Sequence, residues 1–286
     1  MDIKPAQVKE LRERTGVGMM DCKKALVEAG GDIEAAAELL RKAGQAKADK
    51  KAGRIAAEGR IILAEQGGTY VILEVNAETD FVANDDNFLA FADKVANTAL
   101  SQKPADVDAL MALEVDGQSL ESARTELVAK IGENISVRRF RLIDPAGAVG
   151  TYIHMNRIGV LIDVDSGSED LARDLAMQVA ATSPQFVSVD DVPQDERDKE
   201  RGILAAQAEQ EGKPPEIVEK MIEGRLRKHF DEITLLGQPF VKNPDQKVRD
   251  LLKGEGATVK GFVRFAVGEG IEKKQENFAD EVRKLQ

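Results

Sequence analysis

The sequence has no tryptophan, two tyrosines, ten phenylalanines, two histidines and one cysteine in 286 residues. Each scarcity removes a class of explanation. With Cys22 alone there is no intrachain disulfide and no thiolate metal cluster, which fits a reducing compartment. His154 and His229 fall in different segments, so no multi-histidine metal centre is expected. The glycine-rich phosphate cradles are missing too, both the Walker loop and the Gly-x-Gly-x-x-Gly turn after a strand. No hydrophobic run reaches the length of a membrane span, and Met1-Asp2-Ile3-Lys4 carries no apolar signal region. Basic residues are outnumbered, 40 to 51, and the net charge of −11 argues against binding nucleic acid by wholesale phosphate neutralisation. The expectation is a soluble, cytoplasmic protein without a cofactor, its core built from Ala, Val, Leu and Ile.

What is present is a clear alternation of periods. Residues 1–45 read as three short helices: Gln7 to Arg14 with Val8 and Leu11 on one face, Met20 to Ala29, and Ile33 to Lys42 behind Asp32 as N-cap. So small a core is marginal, which suits a docking module, and the turn before Met19 and Met20 leaves at least one methionine near the surface. Residues 41–60 hold seven basic residues and two acids and read as a solvated helix and linker. Strand character begins near Ile61, with a hairpin through Gln66-Gly67-Gly68. A helix with Phe88, Phe91, Ala92, Val95 and Ala99 on one face follows. Residues 101–118 read as polar and irregular, then a helix Leu120 to Ile131 and a strand Ser136 to Ile143. A second hairpin, Val149 to His154 and Arg157 to Val164, precedes a helix with Leu171, Leu175, Val179 and Ala180. Two charged helices, Asp195 to Glu211 and Glu216 to Phe230, flank Gly212-Lys213-Pro214-Pro215 and read as an inserted hairpin. A strand from Thr258 to Val267 and a terminal helix Gln275 to Leu285 close the chain.

The fold class is α+β: a small three-helix N-terminal module, a two-part core of antiparallel sheets with helices, an inserted antiparallel helical hairpin and a C-terminal helix. The expected boundaries are 1–54 for the module, 55–144 for the first half of the core, and 145–190 continued at 231–263 for the second. The hairpin takes 191–230 and the C-terminal module 264–286.

One loop stands out. Between the apolar strand Tyr70 to Val75 and the helix beginning near Phe88 lies Glu78-Thr79-Asp80-Phe81-Val82-Ala83-Asn84-Asp85-Asp86, with an aromatic at the centre of a polar stretch. Phe81 either folds back as a staple or projects towards a partner. The second hairpin and helix repeat the first: 20 residues separate Val75 from Val95, and 15 separate Val164 from Val179. The additional five fall in the loop holding Thr79 to Ala83, which favours a projecting loop gained by one copy. The second copy turns through Ser166-Gly167-Ser168 with no aromatic.

Catalytic constellations are scarce. Cys22 faces inward on its helix and reads as structural. Asp163-Val164-Asp165-Ser166-Gly167 lacks the ligands and glycine of a calcium loop. Glu78, Asp80, Asp85 and Asp86 are candidates for acid–base work, yet no pocket or second polar cluster is visible to tune them, and a solvated acidic loop is the better reading. A binding protein is favoured over an enzyme.

The run Val8 to Leu26, including Arg14-Thr15-Gly16-Val17-Gly18-Met19-Met20-Asp21-Cys22, resembles the amino-terminal signature of bacterial elongation factor Ts. So do Glu74-Val75-Asn76 with Thr79-Asp80-Phe81-Val82-Ala83, and Gly150-Thr151-Tyr152-Ile153-His154 with Arg157-Ile158-Gly159. Leu236-Gly237-Gln238-Pro239-Phe240-Val241 and Gly261-Phe262-Val263-Arg264-Phe265 with Val267-Gly268-Glu269-Gly270 complete the match in order along the chain. The resemblance implies a ubiquitin-associated-like N-terminal module and a guanine-nucleotide exchange factor, not an enzyme, for the GTPase elongation factor Tu in translation. It implies that Thr79, Asp80, Phe81 and Val82 wedge into the GTPase and dislodge its Mg²⁺. It further implies that Arg12, Met19, Met20 and His154 contact the same partner, with no direct nucleic acid and no membrane. The hairpin is where the sequence departs most from the family, which leaves a homodimer through it open. The rival readings are a ubiquitin-associated-like adaptor without exchange activity and a hydrolase or transferase using the acidic loop.

Overall fold

Pro5 supplies the preset φ that starts helix α1, Pro5–Thr15, and Gly16 ends it in the left-handed region at φ 67°. Helix α2 spans Met19–Glu28. Asp32 caps α3, Ile33–Lys51, its carboxylate accepting from the Ala35 N–H at 3.0 Å. Val8, Leu11, Cys22, Ala25, Leu26 and Ala36 form the small core these helices share. In this computed structural model the described residues are 3–209 and 215–272, and the expected terminal helix, Gln275 to Leu285, lies outside them, as does most of the break at Gly212 to Pro215. The chain forms two compact units, Met1–Ile143 with Phe265–Gln286, and Asp144–Arg264.

α3 continues nine residues past its expected end at Lys42. The reason is packing by small residues: Gly44 and Ala48 are buried, and a Cβ placed on Gly44 would lie 3.3 Å from that of Ala129. The basic stretch is therefore largely helical and docked on one side. Ala57 and Glu58 lead into β1, Glu58–Gln66, which pairs antiparallel with β2, Thr69–Ala77. Then come a single helical turn α4, Asp80–Ala83, and the long helix α5, Asp86–Gln102. Residues 101–118, expected to be irregular, instead take in the end of α5 and then α6, Val107–Ala112, and a short β3–β4 hairpin, Glu114–Val115 with Gln118–Ser119. Asp106 caps α6 through the Ala109 N–H at 2.8 Å, and Leu110 and Met111 enter the core. Helix α7 spans Leu120–Ile131 and strand β5 spans Ile135–Ile143; β5 lies antiparallel to β2, giving the order β1-β2-β5.

Alternation along β2 and β5 sends Val71, Leu73, Val75, Ile135 and Val137 to the helices, where Phe88, Phe91, Val95 and Leu127 meet them. Phe88 is fully buried, which contributes roughly 1.5–3 kcal/mol. These contacts hold the ends of β2 and α5, and so fix both feet of the loop between them.

The second unit repeats this arrangement. β6, Ala148–His154, and β7, Ile158–Asp165, form an antiparallel hairpin; α8, Glu169–Thr182, follows behind a Ser168 cap. Helices α9, Gln194–Glu209, and α10, Pro215–Ile233, pack through Leu204, Ala208 and Ile222. Strands β8, Pro239–Phe240, and β9, Asn243–Lys247, helix α11, Val248–Glu255, and β10, Thr258–Ala266, complete it. The order β6-β7-β10 matches β1-β2-β5: hairpin, helix, and a later strand beside the hairpin's second strand. Gly150 permits the close approach of β6 to α8; a Cβ there would stand 1.9 Å from the Ala172 carbonyl oxygen. The buried Gln178 side chain pins the segment around Gln238, donating to Pro239 O at 3.1 Å and accepting from Val241 N at 2.7 Å.

Candidate partner-binding site

The loop after β2 is a capped helical turn. Thr79 is extended, at φ −125° and ψ 158°, and its Oγ1 accepts from the Val82 N–H at 3.3 Å. Ala83 is buried, and Val82 packs against the core from its edge. Helical spacing then turns Phe81 outward, and its side chain is 84% exposed. Asp80 beside it is also exposed. Between the staple and the projecting aromatic, the structure takes the second.

The turn is tied on several sides. Asn84 Nδ2 donates to Asp80 O at 2.7 Å, and Arg60 Nε on β1 donates to Ala83 O at 2.8 Å. Asp85 caps α5, and the Asn87 side chain and the N–H groups of Asn87 and Phe88 hold its carboxyl below the usual range. A carboxyl shifted down by capping is the opposite of a general acid poised near neutrality. The Glu133 carboxylate accepts from Thr79 N at 3.0 Å and Thr79 Oγ1 at 2.8 Å, and Asn134 N donates to Glu78 at 2.7 Å. Sequence reasoning missed Arg60, Glu133 and Asn134. The signal available was Gly132-Glu133-Asn134, an acidic turn between a helix and a strand.

Arg12 lies exposed on α1, and Met19 and Met20 are 58% and 66% exposed at the start of α2. They share a unit with Thr79 to Val82. Lys130 on α7 links the neighbourhoods: Gly16 packs against its side chain, and its Nζ donates to Asn87 Oδ1 at 2.6 Å, in the first turn of α5. His154 belongs to the other unit, exposed at the end of β6, with the Tyr152 hydroxyl 3.4 Å from its Nδ1. Next to it Met155, which sequence reasoning passed over, is 78% exposed at the tip of the turn with φ 49°. Among the described residues no three His, Cys, Asp or Glu side chains are grouped to hold a metal ion, and no helix is long and apolar enough to cross a membrane.

Behind the sheet face opposite the helices, the buried Glu74 carboxylate gathers Arg138 at 3.1 Å, Arg139 at 2.6 Å, Asn76 at 3.1 Å and the Gly268 N–H at 2.8 Å. Burial pushes its pKa up, but the Gly268 N–H, the Asn76 amide and Arg139 outweigh that and hold it below the ordinary carboxyl value. Gly268, at φ 71°, leaves no room for a side chain, since a Cβ would meet the Ala57 carbonyl oxygen at 2.3 Å.

The family model described as Elongation factor TS matches residues 78–269, from the foot of the loop to the Gly268 turn. The chain belongs to the elongation factor Ts family. Full-length relatives agree. Elongation factor Ts of Halorhodospira halophila is 61% identical over 284 residues, covering 99% of this chain and 98% of the relative. That of Alkalilimnicola ehrlichii is 60% identical over 285 residues with the same coverage. A more distant one, from Xanthomonas campestris, is 55% identical over 287 residues. Membership in the elongation factor Ts family makes this a protein of translation elongation.

Proposed function

We propose that this protein is a guanine-nucleotide exchange factor that binds elongation factor Tu in its GDP form, displaces the Mg²⁺ and releases GDP. It makes and breaks no covalent bond in doing so. Thr79, Asp80, Phe81 and Val82 form the wedge, and Arg12, Met19, Met20 and His154 supply further contacts. The observation that carries this reading is a phenylalanine almost wholly exposed on a tied, capped helical turn. Exposing so much apolar surface is unfavourable unless a partner covers it.

The energetics assign the wedge a share only. Weakening nucleotide binding ten-thousandfold needs a coupling of about 5.5 kcal/mol, and burying one Phe yields roughly 1.5–3 kcal/mol. The remainder comes from the docking residues, which favour the nucleotide-free partner. Loss of Mg²⁺ removes the main counter-charge of the phosphates and supplies a route for that coupling. The module of residues 1–54, the two core halves and the C-terminal residues 264–286 serve as the docking parts, in the cytoplasm and without nucleic acid or membrane. Ile203 and Ile217, both partly exposed on the hairpin of residues 191–230, favour self-association there as a second activity.

The test is release of fluorescent GDP from elongation factor Tu at sub-stoichiometric protein. Acceleration with turnover is expected, and release at the spontaneous rate overturns the proposal. An adaptor without exchange activity would bind through residues 1–54 and leave release unchanged.

A further inference from the structure

One three-residue turn, Gly132–Asn134, touches both the wedge loop and the end of α3. On one side Glu133 takes both donors of Thr79, the N–H at 3.0 Å and the hydroxyl at 2.8 Å. With its proton directed to Glu133, the Thr79 hydroxyl turns a lone pair to the Val82 N–H, closing the turn that bears Phe81. On the other side Asn134 Nδ2 donates to Arg54 O at 2.8 Å and Ala52 O at 3.3 Å, and Lys51 Nζ donates to Gly132 O. Glu78, at the foot of the loop, accepts from Asn134 N and lies 3.4 Å from Arg54.

We propose that Glu133 is a positioning residue for exchange: it holds Phe81 in its projecting conformation and, with Asn134, ties the wedge to the helix that carries the N-terminal docking module. This rests on the exchange reading above. A four-residue turn has too few internal hydrogen bonds to persist by itself, and the exposed Phe81 ring gains little from its own chain. The order of the loop must therefore come from its feet. Without the carboxylate the Thr79 N–H loses its partner and the hydroxyl is free to rotate away from Val82. Binding would then have to order the loop as well as insert it, and preordering is what a wedge needs before contact.

The experiment is GDP release from elongation factor Tu at saturating full-length protein. Glu133→Ala lowers the rate about tenfold, the scale of one lost charge-assisted hydrogen bond. Glu133→Gln, which keeps one acceptor oxygen, falls in between, by about threefold. The Phe81→Ala/Glu133→Ala double variant releases GDP no slower than Phe81→Ala alone, because Glu133 acts through Phe81. Amide hydrogen exchange in Glu133→Ala rises at Thr79 to Val82 while β2 and α5 keep their protection. Wild-type rates in both Glu133 variants overturn the inference, as does a full additional loss in the Phe81→Ala background. If Glu133→Ala fails to fold, Glu133→Gln is read by the same criteria in both backgrounds. Failure of the exchange reading looks different: wild-type protein, or Phe81→Ala against it, produces no change in release.

Discussion

Phe81 and Glu74 are opposite cases at the scale of a single residue: an apolar side chain left in water and a charged one taken out of it. For Phe81 the expected outcome of Phe81→Ala is a barrier to GDP release higher by about 1–3 kcal/mol, read by stopped-flow release. Its stability should stay within about 0.5 kcal/mol of wild type, as for exposed positions generally. For Glu74 the balance reverses. Glu74→Ala leaves Arg138, Arg139 and the Gly268 N–H without their common acceptor and is expected to destabilise the protein by about 3–5 kcal/mol in urea unfolding. Because its folded pKa lies below the unfolded value, Glu74 contributes stability above about pH 4.3. That contribution is lost as the pH falls through the folded pKa. The gap between wild type and Glu74→Gln should therefore be widest near neutrality and close in acid; a gap independent of pH from 7 to 3 contradicts the assignment.

Elements differ in how much of themselves they write into the sequence. Helix α7 occupies Leu120–Ile131, the residues its periodicity predicts, and both hairpins are legible from alternation and their turns. Helix α6 is not, because two buried residues in six give no period to detect; its Asp106 cap was the available cue. The second half of α3 is hidden for another reason. Gly44 meets Ala129 of α7, and Ala48 is buried in the same core cluster as Leu127 and Val128; the value of such small residues lies in closeness rather than hydrophobicity. The turn after β2 was legible as an oddity, since Phe81 interrupts a polar loop. That it points outward depends on Glu133, 54 residues away from Thr79, and on Val82 and Ala83 turning in. The same closeness argument predicts that Gly150→Ala is far costlier than its size suggests. A methyl against the Ala172 carbonyl must push β6 off α8, at about 2–3 kcal/mol or more. Thermal unfolding of the variant against wild type checks it.

At the scale of the whole molecule, exchange is a thermodynamic cycle. If this protein weakens the hold of elongation factor Tu on GDP by some factor, GDP must weaken its hold on this protein by the same factor. Measuring both pairs of dissociation constants tests it, and unequal ratios mean a missing state. The unit that bears Phe81 is also assembled from distant parts of the chain, since residues from Phe265 onward join those up to Ile143. That has a bearing on how the protein itself is made. Glu74 and the Gly268 N–H that completes its cluster are 194 residues apart. At about 5–20 residues per second, roughly 10–40 s of synthesis separate them. During that interval the nascent first sheet carries a buried acid short of one donor, so its full resistance to protease should arrive only after the second sheet has already emerged.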